Sequence, residues 1–127
     1  MQLPPPFDTF RLEKKPGEYK DFHVAEGDPY PLKGVTYPVS YGDIKGYTGE
    51  DGHDLDIFLG ENGNLFGYLQ MDRPDVEGGK EHKFYLYLTE DEEQAVFEAF
   101  APVLLDHARF DSLDDLQKAV EPFKDES

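Results

Sequence analysis

Cysteine is absent from this 127-residue chain. That excludes a disulfide framework and a thiolate metal site, and it leaves the redox compartment unread. Basic residues are scarce: 12 Lys and Arg stand against 28 Asp and Glu, a formal net charge of −16. Gripping nucleic acid by its phosphates needs a basic stripe, so direct binding to nucleic-acid phosphates is not expected. Nowhere do eighteen apolar residues run together, and MQLPPPFDTFRLEKK lacks the apolar core of a signal peptide. A soluble, cytoplasmic chain with no membrane association is expected. What is present, 38% hydrophobic and 14% aromatic residues, suffices for the core of one domain spanning residues 1–127. The acidity permits metals, a basic protein partner, or a surface that imitates nucleic-acid charge, and an oligomer is compatible with it.

Residues 1–34 hold most of the prolines and read as an extended, irregular N-terminal segment with one short strand near Asp21 to Ala25. Strands are expected at Val35 to Tyr41, Asp54 to Leu59, Asn64 to Met71 and Lys83 to Leu88, punctuated by glycines. ENGN between the second and third signals a hairpin, with Asn62-Gly63 suited to positive φ. Thr89 to Glu92 forms a capping box. Ala95, Val96, Phe100, Val103 and Leu104 follow at helical spacing, and Pro102 limits or kinks that helix. A last helix starts at Ser112 with Leu113, Leu116, Val120 and Phe123 on one face. Strands first and helices last indicate α+β: a small antiparallel sheet or barrel with two C-terminal helices packed on one side.

The stretch DGHDLD crowds Asp51, His53, Asp54 and Asp56 into six positions of an already acidic chain. Such a cluster repels itself unless a cation sits among it. Alternation puts Leu55, Ile57 and Leu59 on one face of the expected strand and Asp54 with Asp56 on the other. Asp51 and His53 come from the preceding turn, so a short piece of chain aims carboxylates and one imidazole at a common point. Carboxylate oxygen suits Mg²⁺, and an added imidazole tilts the site toward Mn²⁺ or another divalent cation. An EF-hand does not fit, because the oxygen ligands lack the needed offsets and Asn62 stands where its twelfth-position Glu belongs. A solvated turn in which Asp and Gly supply turn chemistry is the competing reading.

The wider stretch YPVSYGDIKGYTGEDGHDLDIFLG, with EHK opening a later strand, resembles soluble family I inorganic pyrophosphatases. Their signature has YPxxYG followed by a glycine-flanked D-x-D-x-x-D entering a strand, and the match is ungapped from Tyr37 to Asp56. It is closest to the compact pyrophosphatase-like domains of phages and mobile elements, which run YGxIxGTxGxDGDxxDVFxG and later DEHK. The resemblance implies an OB-like, pyrophosphatase-type barrel and a Mg²⁺-dependent hydrolase of pyrophosphate or a related phosphoanhydride. It places Asp51, Asp56 and Glu81 at metal-ligand positions, Tyr41 and Lys83 at phosphate-binding positions, and Asp56 and Tyr41 in the catalytic centre. Pyrophosphate is highly charged, so metals and cations must neutralise its oxygens before water attacks. Interleaved carboxylates and lysines meet that requirement.

The sequence also departs from the family. His53 stands where the family has the middle aspartate that helps hold and activate the attacking water; imidazole can ligate a metal or take a proton there, but it neutralises less charge. Asp54 stands where proline is usual. Lys33 and Lys45 are substrate-side candidates by proximity alone, and the tyrosine-lysine pair of the family's long C-terminal helix is missing. Single residues have plainer readings as well. Lys83 can be an edge-strand cation, Tyr37 and Tyr41 core aromatics, and His82 a surface residue, since alternation turns it away from Lys83. Arg73 and Lys80 lie in a Gly-rich acidic loop that either closes over phosphates or is solvated. Two function classes follow: a Mg²⁺- or Mn²⁺-dependent phosphoanhydride hydrolase, and a noncatalytic acidic binding or decoy module derived from the same fold.

Overall fold

The computed structural model describes residues 2–126. Eight strands precede, separate and follow two helices: β1 (Phe10–Lys14), β2 (Tyr19–Asp21), β3 (Gly34–Thr36), β4 (Ser40–Thr48), β5 (Asp54–Leu59), β6 (Leu65–Asp72), β7 (Lys80–Leu88), α1 (Glu90–Ala99), β8 (Leu104–Phe110) and α2 (Leu113–Val120). Six strands form one sheet in the order β1-β4-β5-β7-β6-β8, and β2 pairs with β3 in a separate ribbon. The class is α+β, but the sheet is mixed, because β5 and β7 run parallel with Ile57 opposite Phe84. Pairings among the described residues leave β1 and β8 as edges, so the expected closure into an antiparallel barrel is not seen.

That order also corrects the expected hairpin at ENGN. β5 and β6 are not neighbours, since β7 inserts between them. Gly63 does not take positive φ. It is needed for close approach instead: a Cβ there would stand 1.9 Å from the Leu88 carbonyl carbon. The N-terminal segment is less irregular than its prolines suggest. Its β1 pairs along β4, its Phe7 is fully buried, and its β2 takes in only Asp21 of the strand expected at Asp21 to Ala25.

The helix starts were local signals and stand where the sequence puts them. Thr89 Oγ1 accepts from the Glu92 N–H at 3.1 Å and the Glu92 carboxylate accepts from the Thr89 N–H at 2.9 Å. Ser112 likewise caps α2 by accepting from the Asp115 N–H. Residues Val103 and Leu104 do not continue α1. Pro102 disfavours helical backbone at the residue before it, the chain tightens into a 3₁₀ turn, and Leu104 begins β8.

The two helices lie on opposite faces of the sheet, not on one side. Val96 and Phe100 of α1 pack with Phe58, Leu69 and Tyr85, whereas Leu116 and Val120 of α2 pack with Ile57, Phe84 and Leu86. Adjacent strand residues point to opposite faces, so these two clusters are the two sides of β5 and β7. On β7, Glu81 and Lys83 share the α1 side with Tyr85, while His82 turns to the α2 side with Phe84.

Candidate functional site

A tight turn joins β4 to β5. The Gly49 N–H donates to the His53 carbonyl at 2.8 Å, the Gly52 N–H donates to the Gly49 carbonyl, and Gly52 takes φ 81°, a conformation costly for residues with a Cβ. Asp51 closes the turn by accepting the His53 N–H on Oδ1 at 3.0 Å, which leaves its other oxygen turned toward β7. Parallel pairing of Ile57 with Phe84 sets Asp56, one residue earlier, beside Lys83. Ligand oxygens of Asp51, Asp56 and Glu81 consequently lie within 4.8 Å of one another. This is the one cluster of three or more possible metal ligands among the described residues, and it is able to hold a metal ion.

Lys83 sits at the centre of that cluster with 6% of its surface exposed. Its ammonium donates to Asp56 Oδ2 at 2.5 Å, to the Tyr41 hydroxyl at 2.7 Å and to Glu81 Oε1 at 3.3 Å. All three of its N–H donors are thus engaged. Burial opposes the Lys83 charge, but Asp56, Tyr41 and Glu81 outweigh it and hold the group protonated, well above the ordinary lysine range. Burial also pushes the Asp56 carboxyl up, and Lys83 by charge and hydrogen bond brings it below the usual carboxylate range. Glu81 stays above that range, because burial outweighs the attraction of Lys83. Tyr41 stacks on Tyr37 with ring centroids 4.3 Å apart. Desolvation drives the Tyr41 hydroxyl well above its ordinary value and raises that of Tyr37 to about 12, so both are protonated donors at neutral pH.

Arg73, in the loop between β6 and β7, is the second cation of the site. Its guanidinium hydrogen-bonds Glu81 Oε2, grips Asp75 through two nitrogens and lies 3.9 Å from Asp51. The sequence placed Arg73 only in a loop of two possible roles; nothing local pairs it with residues twenty-two positions upstream. Glu50 was missed altogether. Its carboxylate accepts the backbone N–H of His82 at 3.1 Å and holds the His82 ring at Nδ1. A strut therefore ties the residue beside Asp51 to the residue between Glu81 and Lys83.

Four expected site residues stand outside the cluster. His53 is exposed and lines the same cleft, but the carboxylate cluster includes no histidine. Lys45 is exposed, lies outside the cleft lining, and meets Thr9 through its backbone N–H. Lys33 donates to the Asp28 carbonyl. Asp54, which alternation set beside Asp56, is held by Arg11 of β1, which also binds Asp43. Lys20, from the N-terminal segment, contributes a cation that proximity in sequence did not suggest.

The cluster opens on a cleft of about 750 Å³, walled on one side by Asp51, Asp56, Glu81 and Lys83 and on the other by the segment from Lys20 to Leu32. No helix among the described residues is long and apolar enough to cross a membrane. Compared with known proteins, the chain matches no family model, no curated protein and no solved structure.

Proposed function

We propose that this chain is a divalent-metal-dependent hydrolase of phosphoanhydrides, of the pyrophosphatase type that Tyr37 to Asp56 resembles. The observation that carries the proposal is the convergence of Asp51, Asp56 and Glu81 from three elements onto one point beside a buried lysine, in the wall of a cleft. A surface acidic turn has no reason to recruit a third carboxylate and bury it with only 2% exposure.

The donor set fits a hard cation. It consists of carboxylate oxygens alone, which favours Mg²⁺ or Mn²⁺ over softer ions. Lys83 and Arg73 face four carboxylates, Asp51, Asp56, Glu81 and Asp75, so two negative charges stay unbalanced. Asp51, Asp56 and Glu81 would hold the ion, which supplies neutralisation of phosphate oxygens and a lowered pKa for the attacking water. His53, outside the cluster, has no ligand role in this reading. The chain's own cations do the rest: Lys83 and Arg73 present N–H donors at the cleft wall, where phosphate oxygens compete with carboxylates for them. The protonated Tyr41 hydroxyl orients the Lys83 ammonium from the other side.

Calorimetry with Mg²⁺, Mn²⁺ and Ca²⁺, followed by phosphate release from pyrophosphate, tests the proposal, with Asp56→Asn as the inactive control. Binding of Mg²⁺ or Mn²⁺ that Asp56→Asn abolishes, with phosphate released only by the wild type, is expected. Indifference to all three ions and no phosphate release would leave the noncatalytic acidic module.

A further inference from the structure

The cleft is much larger and more apolar than pyrophosphate needs. Beyond the charged wall Phe22, Val24 and Tyr30 are partly exposed to it, over a floor of buried Leu32, Met71 and Phe100. Pyrophosphate carries no apolar atom to set against such a surface, and about 750 Å³ lies within the 300–1,000 Å³ range typical of sites for drug-sized organic ligands. Charge points the same way. Nine carboxylate side chains line the cleft against three basic ones, Lys20, Arg73 and Lys83, and Lys20 is already paired with Glu13. Unsubstituted pyrophosphate brings the largest negative charge of any diphosphate into this field. Esterification at both ends removes the terminal ionisations, lowers the repulsion and adds an organic group for the apolar wall.

We infer that the preferred substrate is an organic diphosphate esterified at both ends, with an apolar or aromatic group seated against Phe22 and Val24. The inference rests on the hydrolase proposed above and names its substrate class. Water adds through its oxygen to one phosphorus. The bridging P–O bond breaks, its electron pair leaves with the bridging oxygen, and two phosphate monoesters result, with the protons of water passing to solvent and the products. Phe22 and Val24 are specificity residues, since they line the cleft without belonging to the carboxylate cluster or pairing with its cations.

The test compares pyrophosphate with ADP-ribose, a diphosphate with no terminal phosphate, by ³¹P NMR in Mn²⁺, alongside Mn²⁺ calorimetry. ADP-ribose turnover at least tenfold above that of pyrophosphate is expected. Phe22→Ala should lower ADP-ribose turnover about tenfold and leave pyrophosphate turnover within twofold; Val24→Ser, a milder change outside both core clusters, should act in the same direction if Phe22→Ala fails to fold. Pyrophosphate preferred over ADP-ribose, or both affected equally by these variants, overturns the inference and leaves the hydrolase intact. Hydrolysis of neither compound overturns both, and absence of Mn²⁺ binding locates the failure in the metal site.

Discussion

Replacing Lys83 by methionine keeps an aliphatic stem of similar volume and removes the charge that holds the acidic cluster together. Asp56 loses its partner at 2.5 Å and Glu81 its partner at 3.3 Å, both in surroundings that exclude most water. Breaking one side of a buried ion pair costs about 3–5 kcal/mol, because the charge left behind remains desolvated. At roughly 4 °C per kcal/mol for a chain of this size, Lys83→Met should lower the melting temperature by roughly 12–20 °C in chelator. Divalent cations should then reverse part of the loss. An ion at a hundredfold excess over its Kd adds about 2.7 kcal/mol to any native state it binds. In the variant it also relieves the repulsion between Asp56 and Glu81, with no ammonium to compete. The assay is a pair of thermal melts, with chelator and with millimolar Mn²⁺ at matched ionic strength, on wild type and variant. A variant that melts within about 2 °C of wild type in chelator, or gains no more from Mn²⁺ than wild type does, refutes the view that the Lys83 charge holds the acidic cluster together.

Glu50→Gln weakens the strut to His82; losing a charge-assisted hydrogen bond costs about 1.5–3 kcal/mol, with this pair, exposed by 29% and 25%, toward the lower end, and calorimetry should show Mn²⁺ affinity reduced about tenfold because Asp51 is held less firmly. His53→Asp adds a carboxylate beside the cluster, so Mg²⁺ binding measured by calorimetry should tighten relative to Mn²⁺; unchanged preference would mean that position 53 does not sense the ion. The Glu93 carboxyl is raised by burial, but hydrogen bonds from Arg109 and Tyr85 outweigh this and hold it below the ordinary value. A depressed folded-state pKa contributes stability present above the unfolded-state value of about 4.3 and lost as pH falls through the folded one. The gap in denaturant midpoint between wild type and Glu93→Gln should therefore be full at pH 7 and shrink as pH drops below about 4.3; a gap constant from pH 7 to 3 would contradict the assignment.

Much of the chain's local structure was legible in its sequence. Asp54 to Leu59 is a strand with the bounds that its alternation indicated, and the caps at Thr89 and Ser112 sit where hydroxyl side chains precede helical spacing. Asp51 and Asp56 were readable as a pair because one turn and two residues of strand separate them, a distance over which backbone geometry alone aims side chains. Alternation also turned His82 away from Lys83; that Glu81 shares the Lys83 face follows from β7 starting at Lys80, three residues before the strand expected at Lys83. Tertiary structure decided everything that depended on which strands became neighbours. No local signal showed that β7 would insert between β5 and β6, yet that parallel contact puts Lys83 on Asp56 and makes a phosphate candidate into the charge that holds the cluster. The sequence marked no strand between the helices, and β8 forms there because β6 offers a free edge that its backbone can pair. Lys45 was near in sequence and lies outside the cleft lining, while Arg73, whose loop the sequence left with two roles, and Glu50, which it did not mark, close the site. Hydrogen bonding within a turn or helix is set by residues a few positions apart, whereas the pairing of distant carboxylates and cations is set by the packing of the whole sheet.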